Sequence, residues 1–263
     1  MEFLEAVLQG DAPEAALPSR SPRVRVRKRP ALEFIQIFGE RNSGTKHLKA
    51  LISGSALEPD KILGAYATKT DPVNKARMIG YKHYYPRPEK IAKHQKSTLF
   101  LVIYKNPYTW IRSMLVKPYH FKGSLEGKGI EDLPGLKLAG FDVHGKEIPD
   151  VHPETGELLT MFGLREHKIR AWEGLASMVD NVAYINYEDL LLNPTAVVTH
   201  VVEEFPALFN GTVPDHVADP KYLAKYISPE PFSEAEMAVL NAGIEWEAEA
   251  IAGYEKDNLF IPH

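Results

Sequence analysis

Three short apolar runs, each passing straight into a loop and then a helical pattern, limit this chain more than any other feature. The first, Leu32 to Phe38, ends on Gly39 and is followed by a helical pattern from Thr45 to Ile52 that stops near Gly54. The second, Thr98 to Tyr104, is apolar almost throughout, as a strand buried on both faces must be. It enters Lys105-Asn106-Pro107 and then a helix from about Tyr108 to Val116. The third, Val182 to Tyr187, leads through Glu188-Asp189-Leu190-Leu191 to a helix after Pro194. Arg77 to Tyr85 reads as a further strand and Leu164 to Met178 as an amphipathic helix. Ser233 to Ile251 reads as a helix, with Ser233 as cap and Glu236 as its box partner. Strands alternating with helices predict an α/β fold, a three-layer sandwich with a central parallel sheet.

The 263 residues suffice for one large core or two small ones. The expected division is an N-terminal arm, 1–30, partly flexible, and a single domain, 31–263. Within the arm, Arg23-Val24-Arg25-Val26-Arg27 alternates as an exposed edge strand or a solvated arm would; charge runs more often mark plain solvation, and a basic arm that meets an anionic acceptor is the sharper alternative. Residues 117–162 are rich in glycine and proline with little periodicity, and read as an irregular insertion or lid holding a hairpin.

With no cysteine, disulfides, thiolate metal sites and a cysteine nucleophile are ruled out. No metal is expected, since no acid–histidine cluster shows ligand spacing. The acidic start MEFLEAVLQGD is unlike a secretory leader, and no run approaches the roughly 18 apolar residues that span a bilayer, so a cytoplasmic protein without a membrane partner is expected. A formal charge of −4 gives no case for nucleic acid. Any anion must be bound by a local cluster of donors.

Such a cluster stands out at Gly39-Glu40-Arg41-Asn42-Ser43-Gly44-Thr45-Lys46-His47. A strand ends, a loop with two glycines follows and a helix begins at once, which points backbone N–H groups and a positive helix end at one spot. Lys46 and Arg41 add charge; Ser43 and Thr45 add hydroxyls. The string is not a Walker A loop: Gly39 and Gly44 are correctly spaced, but Thr45 precedes Lys46 and His47 stands where a magnesium-binding hydroxyl belongs.

At this loop the chain resembles the PAPS-dependent sulfotransferase superfamily, whose 5′-phosphosulfate loop commonly reads Lys/Arg-Ser-Gly-Thr (PAPS is 3′-phosphoadenosine 5′-phosphosulfate). Three further segments match in the same order. Lys105 and Ser113 stand at the spacing of the family's 3′-phosphate arginine and serine, with lysine replacing the bidentate guanidinium. Lys82-His83 lies a little over twenty residues before Lys105, as the family's catalytic histidine does, and an imidazole has the pKa to take a proton from a hydroxyl. Tyr187-Glu188-Asp189-Leu190 is similar to the family's Tyr-Glu-Asp-Leu segment, which implies that Tyr187 lines the nucleotide pocket; a surface or core role stays open for His83 and Tyr187. The catalytic lysine or arginine before Ser-Gly-Thr is replaced here by Asn42, a place also held by lysine in the Gly-x-Arg-Lys-Gly-Gly-Thr-Arg pattern of glycosaminoglycan sulfotransferases.

The resemblance implies a P-loop-NTPase-like sulfotransferase fold and sulfuryl transfer from PAPS, as co-substrate, to a hydroxyl or amine of a small-molecule or carbohydrate acceptor. It assigns Arg41, Asn42, Ser43, Gly44, Thr45, Lys46, His47, Lys105, Ser113 and Tyr187 to the nucleotide. His83 becomes the general base, and Lys46 and Arg41 the charges on the leaving phosphate. Two other expectations stand beside it: a P-loop kinase-like phosphotransferase, and a catalytically inactive nucleotide-binding protein. Tyr84, Tyr85, Tyr119, His120 and Phe121 are candidates for an aromatic wall on the acceptor side.

Overall fold

A computed structural model describes residues 21–26, 32–63, 79, 81–142, 144–148, 150–215 and 232–257. Its strands are β1 (Arg23–Val26), β2 (Phe34–Gly39), β3 (Ile62–Leu63), β4 (Thr98–Tyr104) and β5 (Asn181–Asn186), in the sheet order β1-β5-β4-β2-β3. The last four run parallel; β1 pairs antiparallel with β5. The helices are α1 (Thr45–Ser53), α2 (Pro88–His94), α3 (Pro107–Val116), α4 (Lys122–Leu125), α5 (Met161–Glu173), α6 (Leu175–Met178), α7 (Tyr187–Leu192), α8 (Pro194–Glu204), α9 (Glu234–Gly243) and α10 (Trp246–Ala252).

Side chains alternate across a strand, so each face of the sheet collects every second residue. Ile35, Ile37, Leu99, Leu101, Ile103, Ala183 and Ile185 pack on one face with Leu48 and Ile52 of α1 and Val197, Val198 and Val201 of α8. Phe38, Phe100, Val102, Tyr104, Val182 and Tyr184 take the other face with Ile91 of α2, Ile169 and Trp172 of α5, and Ala248 and Ala252 of α10. Because both faces are covered, all seven residues of β4 are buried, which is why that run has no polar alternation. The mixed α/β layering expected from the sequence is present.

Several elements differ from expectation. Arg23–Val26 is an edge strand: Val24 and Val26 pack toward the core, while Arg23 lies 5.0 Å over the Tyr184 ring and Arg25 donates to the Ala176 carbonyl at 3.3 Å. The arm therefore contributes to the sheet, because its alternating valines supply an apolar face; residues 1–20 lie outside the described residues. The strand expected over Arg77 to Tyr85 is absent from the described part of that range. Ile79 is in a bend and 81–84 form a turn, closed by Tyr84 N–H to the Tyr81 carbonyl at 2.9 Å, ahead of Pro86. The helix expected over 164–178 begins earlier, at Met161, with Thr160 as its cap, and divides at Gly174. The C-terminal helix divides too. Its capping box is formed, Ser233 accepting from Glu236 N–H and Glu236 from Ser233 N–H, but the chain leaves the helix after Gly243. A Cβ at Gly243 would meet the Phe162 ring at 2.5 Å, so close packing fixes glycine there.

The insertion has an apolar core of its own. Phe121, Leu125, Ile130, Leu133, Leu138 and Ile148 cluster with Trp110 and Ile111 of α3 and Leu240 of α9. Antiparallel bridges Phe141–Glu147 and Val151–Leu158 make two small hairpin-like turns where one was expected.

Candidate functional site

Parallel neighbours put their carboxyl ends on one edge, so the segments leaving β2, β4 and β5 open together, which is where ligands collect in such sheets. The loop 40–44 leaves β2, Lys105 follows β4, and Tyr187 begins α7 directly after β5.

Gly44 is the N-cap of α1 with φ 90°, a left-handed conformation that glycine adopts without steric cost. A Cβ at Gly44 would stand 2.2 Å from Cδ2 of Tyr187, so the ring of Tyr187 lies against the loop. The same ring meets His47 edge-on at 6.2 Å between centroids and carries Nζ of Lys105 5.3 Å from its centre. Lys105 in turn donates to Ser113 Oγ at 2.8 Å. The loop and the Lys105–Ser113 pair are thereby joined through one aromatic ring.

α1 begins without a side-chain cap, leaving the N–H groups of its first turn to other acceptors. The loop side chains take roles other than those read from the sequence. Asn42 has φ 64°, and its amide donates to the carbonyls of Ser113 at 3.2 Å and Lys117 at 2.9 Å. It ties the loop to the end of α3, at its last turn and its C-cap residue Lys117. Ser43 donates to the Glu40 carbonyl at 2.7 Å and closes the loop on itself. Arg41 was expected as a charge facing the ligand; instead its guanidinium is buried, paired with Asp150, donates to Nδ1 of His120 and lies 4.8 Å from the Phe121 ring. Neutralised by a buried carboxylate, it anchors the loop to the insertion. Thr45 is buried, while Lys46 is exposed. Arg112, next to Ser113, lies 3.7 Å from the Phe232 ring centre.

Behind the loop runs a buried ionic layer. Asp150 also pairs with Lys168 at 2.8 Å, and Arg165 pairs with Glu249 and with Glu40 at 3.2 Å while donating to the Lys105 carbonyl at 2.7 Å. Three acids and three bases face one another, so this layer brings little net charge to the edge. Burial depresses Lys168, and Asp150 offsets part of that. Burial raises the Glu40 carboxyl, and Arg165 opposes it.

The turn 81–84 supplies the remaining functional groups. Gly39 N–H donates to the Lys82 carbonyl at 2.9 Å, and His83 Nδ1 stands 2.6 Å from the Gly39 carbonyl. A carbonyl only accepts, so Nδ1 carries the proton and Nε2 keeps its lone pair. Burial, then the charges of Arg41 and Lys82, lowers the His83 pKa well below the ordinary value. The imidazole is therefore neutral near pH 7. The Lys82 ammonium is pushed down to about 8 by burial and by Lys46, Lys49 and Arg41. A cluster of cations of this kind favours an anion.

Tyr81 lies edge-on to His83 at 5.2 Å and to Tyr84 at 4.9 Å, and 6.2 Å from His120. Of the expected aromatic wall, Tyr84 and His120 thus gather around Tyr81, whereas Phe121 is buried in the insertion's core. Sequence reasoning singled out His83 but passed over Tyr81, Lys82 and Asp150 as site residues. The first two adjoin His83 and had a local signal in Tyr81-Lys82-His83-Tyr84. Asp150 had none, being far from Arg41 in the chain. Among the described residues no group of three or more His, Asp or Glu is placed to hold a metal, and no helix is long and apolar enough to cross a membrane. The sequence matches no protein-family model and no curated protein.

Proposed function

We propose that the chain is a cytoplasmic sulfotransferase of the P-loop-like sulfotransferase fold, moving a sulfuryl group from PAPS to a hydroxyl or amine of a small-molecule or carbohydrate acceptor. One observation carries this reading: the ring of Tyr187 spans from Gly44 of the anion loop to Lys105, which holds Ser113. Two separate sets of donors on one sheet edge suit a ligand with anionic groups at both ends of a nucleoside. The first-turn N–H groups of α1, with Lys46 and Lys82, bind the 5′-phosphosulfate; Lys105 and Ser113 bind the 3′-phosphate; Tyr187 flanks the base. Arg41, Asn42 and Ser43 hold the loop in shape.

In the transfer, the acceptor oxygen forms a bond to sulfur as the bond from sulfur to the 5′-phosphate oxygen breaks. The electron pair leaves with adenosine 3′,5′-bisphosphate, and the acceptor proton passes to Nε2 of His83. The protein acts by positioning and by fixed charge at the leaving oxygens.

A transfer assay with labelled PAPS and a panel of acceptors tests this. Label should reach an acceptor, and His83→Ala should lower the rate about 10²–10⁴-fold, the usual worth of a general base. Full activity in that variant removes His83 from the mechanism. Preference for ATP·Mg²⁺ over the bisphosphate in calorimetry points instead to a phosphotransferase. Bisphosphate binding without turnover points to an inactive nucleotide-binding protein.

A further inference from the structure

The site holds a second imidazole whose hydrogen-bonding state is fixed opposite to that of His83. Nδ1 of His120 lies 3.1 Å from Nε and 3.0 Å from Nη2 of Arg41. A guanidinium only donates, so this Nδ1 must accept, and the ring proton of neutral His120 sits on Nε2. His83 is the reverse, because its Nδ1 donates to the Gly39 carbonyl. The two rings flank Tyr81, at 5.2 Å and 6.2 Å between centroids. Arg41 of the loop binds His120, and the Gly39 carbonyl at the start of the loop binds His83, which places this trio beside the loop. His120 is half-buried, directly after Tyr119, a non-glycine residue held at φ 50° and more than half exposed. Backbone held in that region clusters at functional sites.

We propose that His120 is a second catalytic residue of this site, its Nε2–H donating to an oxygen of the sulfuryl group in flight while Nε2 of His83 takes the acceptor proton. This rests on the sulfotransferase reading. His120 gains and loses no proton; it offers a fixed dipole where charge develops. The acceptor hydroxyl then meets Nε2 of His83, while His120 faces the group being transferred.

Two measurements on the full chain test the proposal. Imidazole nitrogen-15 spectra should give His120 as the Nε2–H tautomer and His83 as Nδ1–H. A His120 carrying its proton on Nδ1 would overturn the proposal whatever the activity. In the transfer assay His120→Phe should lower kcat about 10²–10³-fold, the cost of one lost oxyanion donor. His120→Gln, which retains an acceptor for Arg41 and an N–H, should recover most of that loss. Affinity for adenosine 3′,5′-bisphosphate should stay within about threefold in both variants. A fall in that affinity parallel to kcat means that His120 acts only through Arg41, and it overturns the proposal, as does an undiminished rate in His120→Phe. Failure of the wild-type chain to bind the bisphosphate refutes the sulfotransferase reading itself, and the tautomer spectra separate that outcome from an error about His120.

Discussion

At the scale of single residues, Gly44 carries two demands at once. Its φ of 90° excludes most side chains, and the ring of Tyr187 occupies the place of a Cβ. Gly44→Ala therefore combines left-handed strain with overpacking, each costing roughly 1–3 kcal/mol. We expect a loss of about 2–4 kcal/mol in urea unfolding, together with weakened binding of adenosine 3′,5′-bisphosphate. An unchanged unfolding midpoint would mean that Tyr187 does not rest on the loop. Asn42 teaches a related lesson. Compared with the family pattern it is a missing cation, but in the folded chain it is an asparagine suited to φ 64° whose amide holds the end of α3. Its type answers to backbone shape and helix capping, so the absent charge says little about reactivity by itself.

At the scale of elements, the insertion is fastened to the sheet by charge as well as by apolar packing. Asp150 is buried between Arg41 of the anion loop and Lys168 of α5. Asp150→Asn leaves two buried cations short of their counter-ion, and removing one partner of a buried ionic group costs on the order of 3–5 kcal/mol. Chemical unfolding should register that loss, with looser bisphosphate binding because Arg41 no longer fixes the loop. Stability within about 0.5 kcal/mol of the parent would show that the pair is not closed in solution. Elements also account for the differences from expectation. The 81–84 turn reads as a strand by composition, yet its carbonyl at Lys82 serves Gly39 N–H and its imidazole serves the Gly39 carbonyl. Those partners come from β2, distant in sequence, and no local period reveals them.

At the scale of the whole molecule, a chain of formal charge −4 nonetheless sets Lys82 among the charges of Lys46, Lys49 and Arg41. Lys82, lowered to about 8, loses its proton as the solution becomes mildly basic. Its charge is present below that value and lost above it. Bisphosphate affinity measured by calorimetry should thus decline as pH rises through about 8, whereas an ordinary lysine would hold its charge to about 10. Lys82→Arg should carry the plateau past pH 9, because a guanidinium stays protonated there. An identical decline in that variant would place the titrating group elsewhere. His83, depressed well below its ordinary value, stays neutral across this range and contributes nothing to the decline.

The sequence by itself determined the alternation of buried strands and helices and the glycine-bearing loop at the start of α1, and the resemblance it carries implied the pairing of Lys105 with Ser113. Each is written in residues close together in the chain: an unbroken apolar run, a glycine at a turn, a cation and a hydroxyl eight positions apart. Only the tertiary structure decided what the loop's side chains do. Arg41 gives its charge to Asp150, Asn42 to α3 goes as a cap, and His83 and His120 acquire opposite tautomers from Gly39 and Arg41. The reason is physical. Side-chain chemistry is set by the nearest partner in space, and each of these partners arrives from another element, brought in by the packing of sheet, helices and insertion rather than by any pattern along the chain.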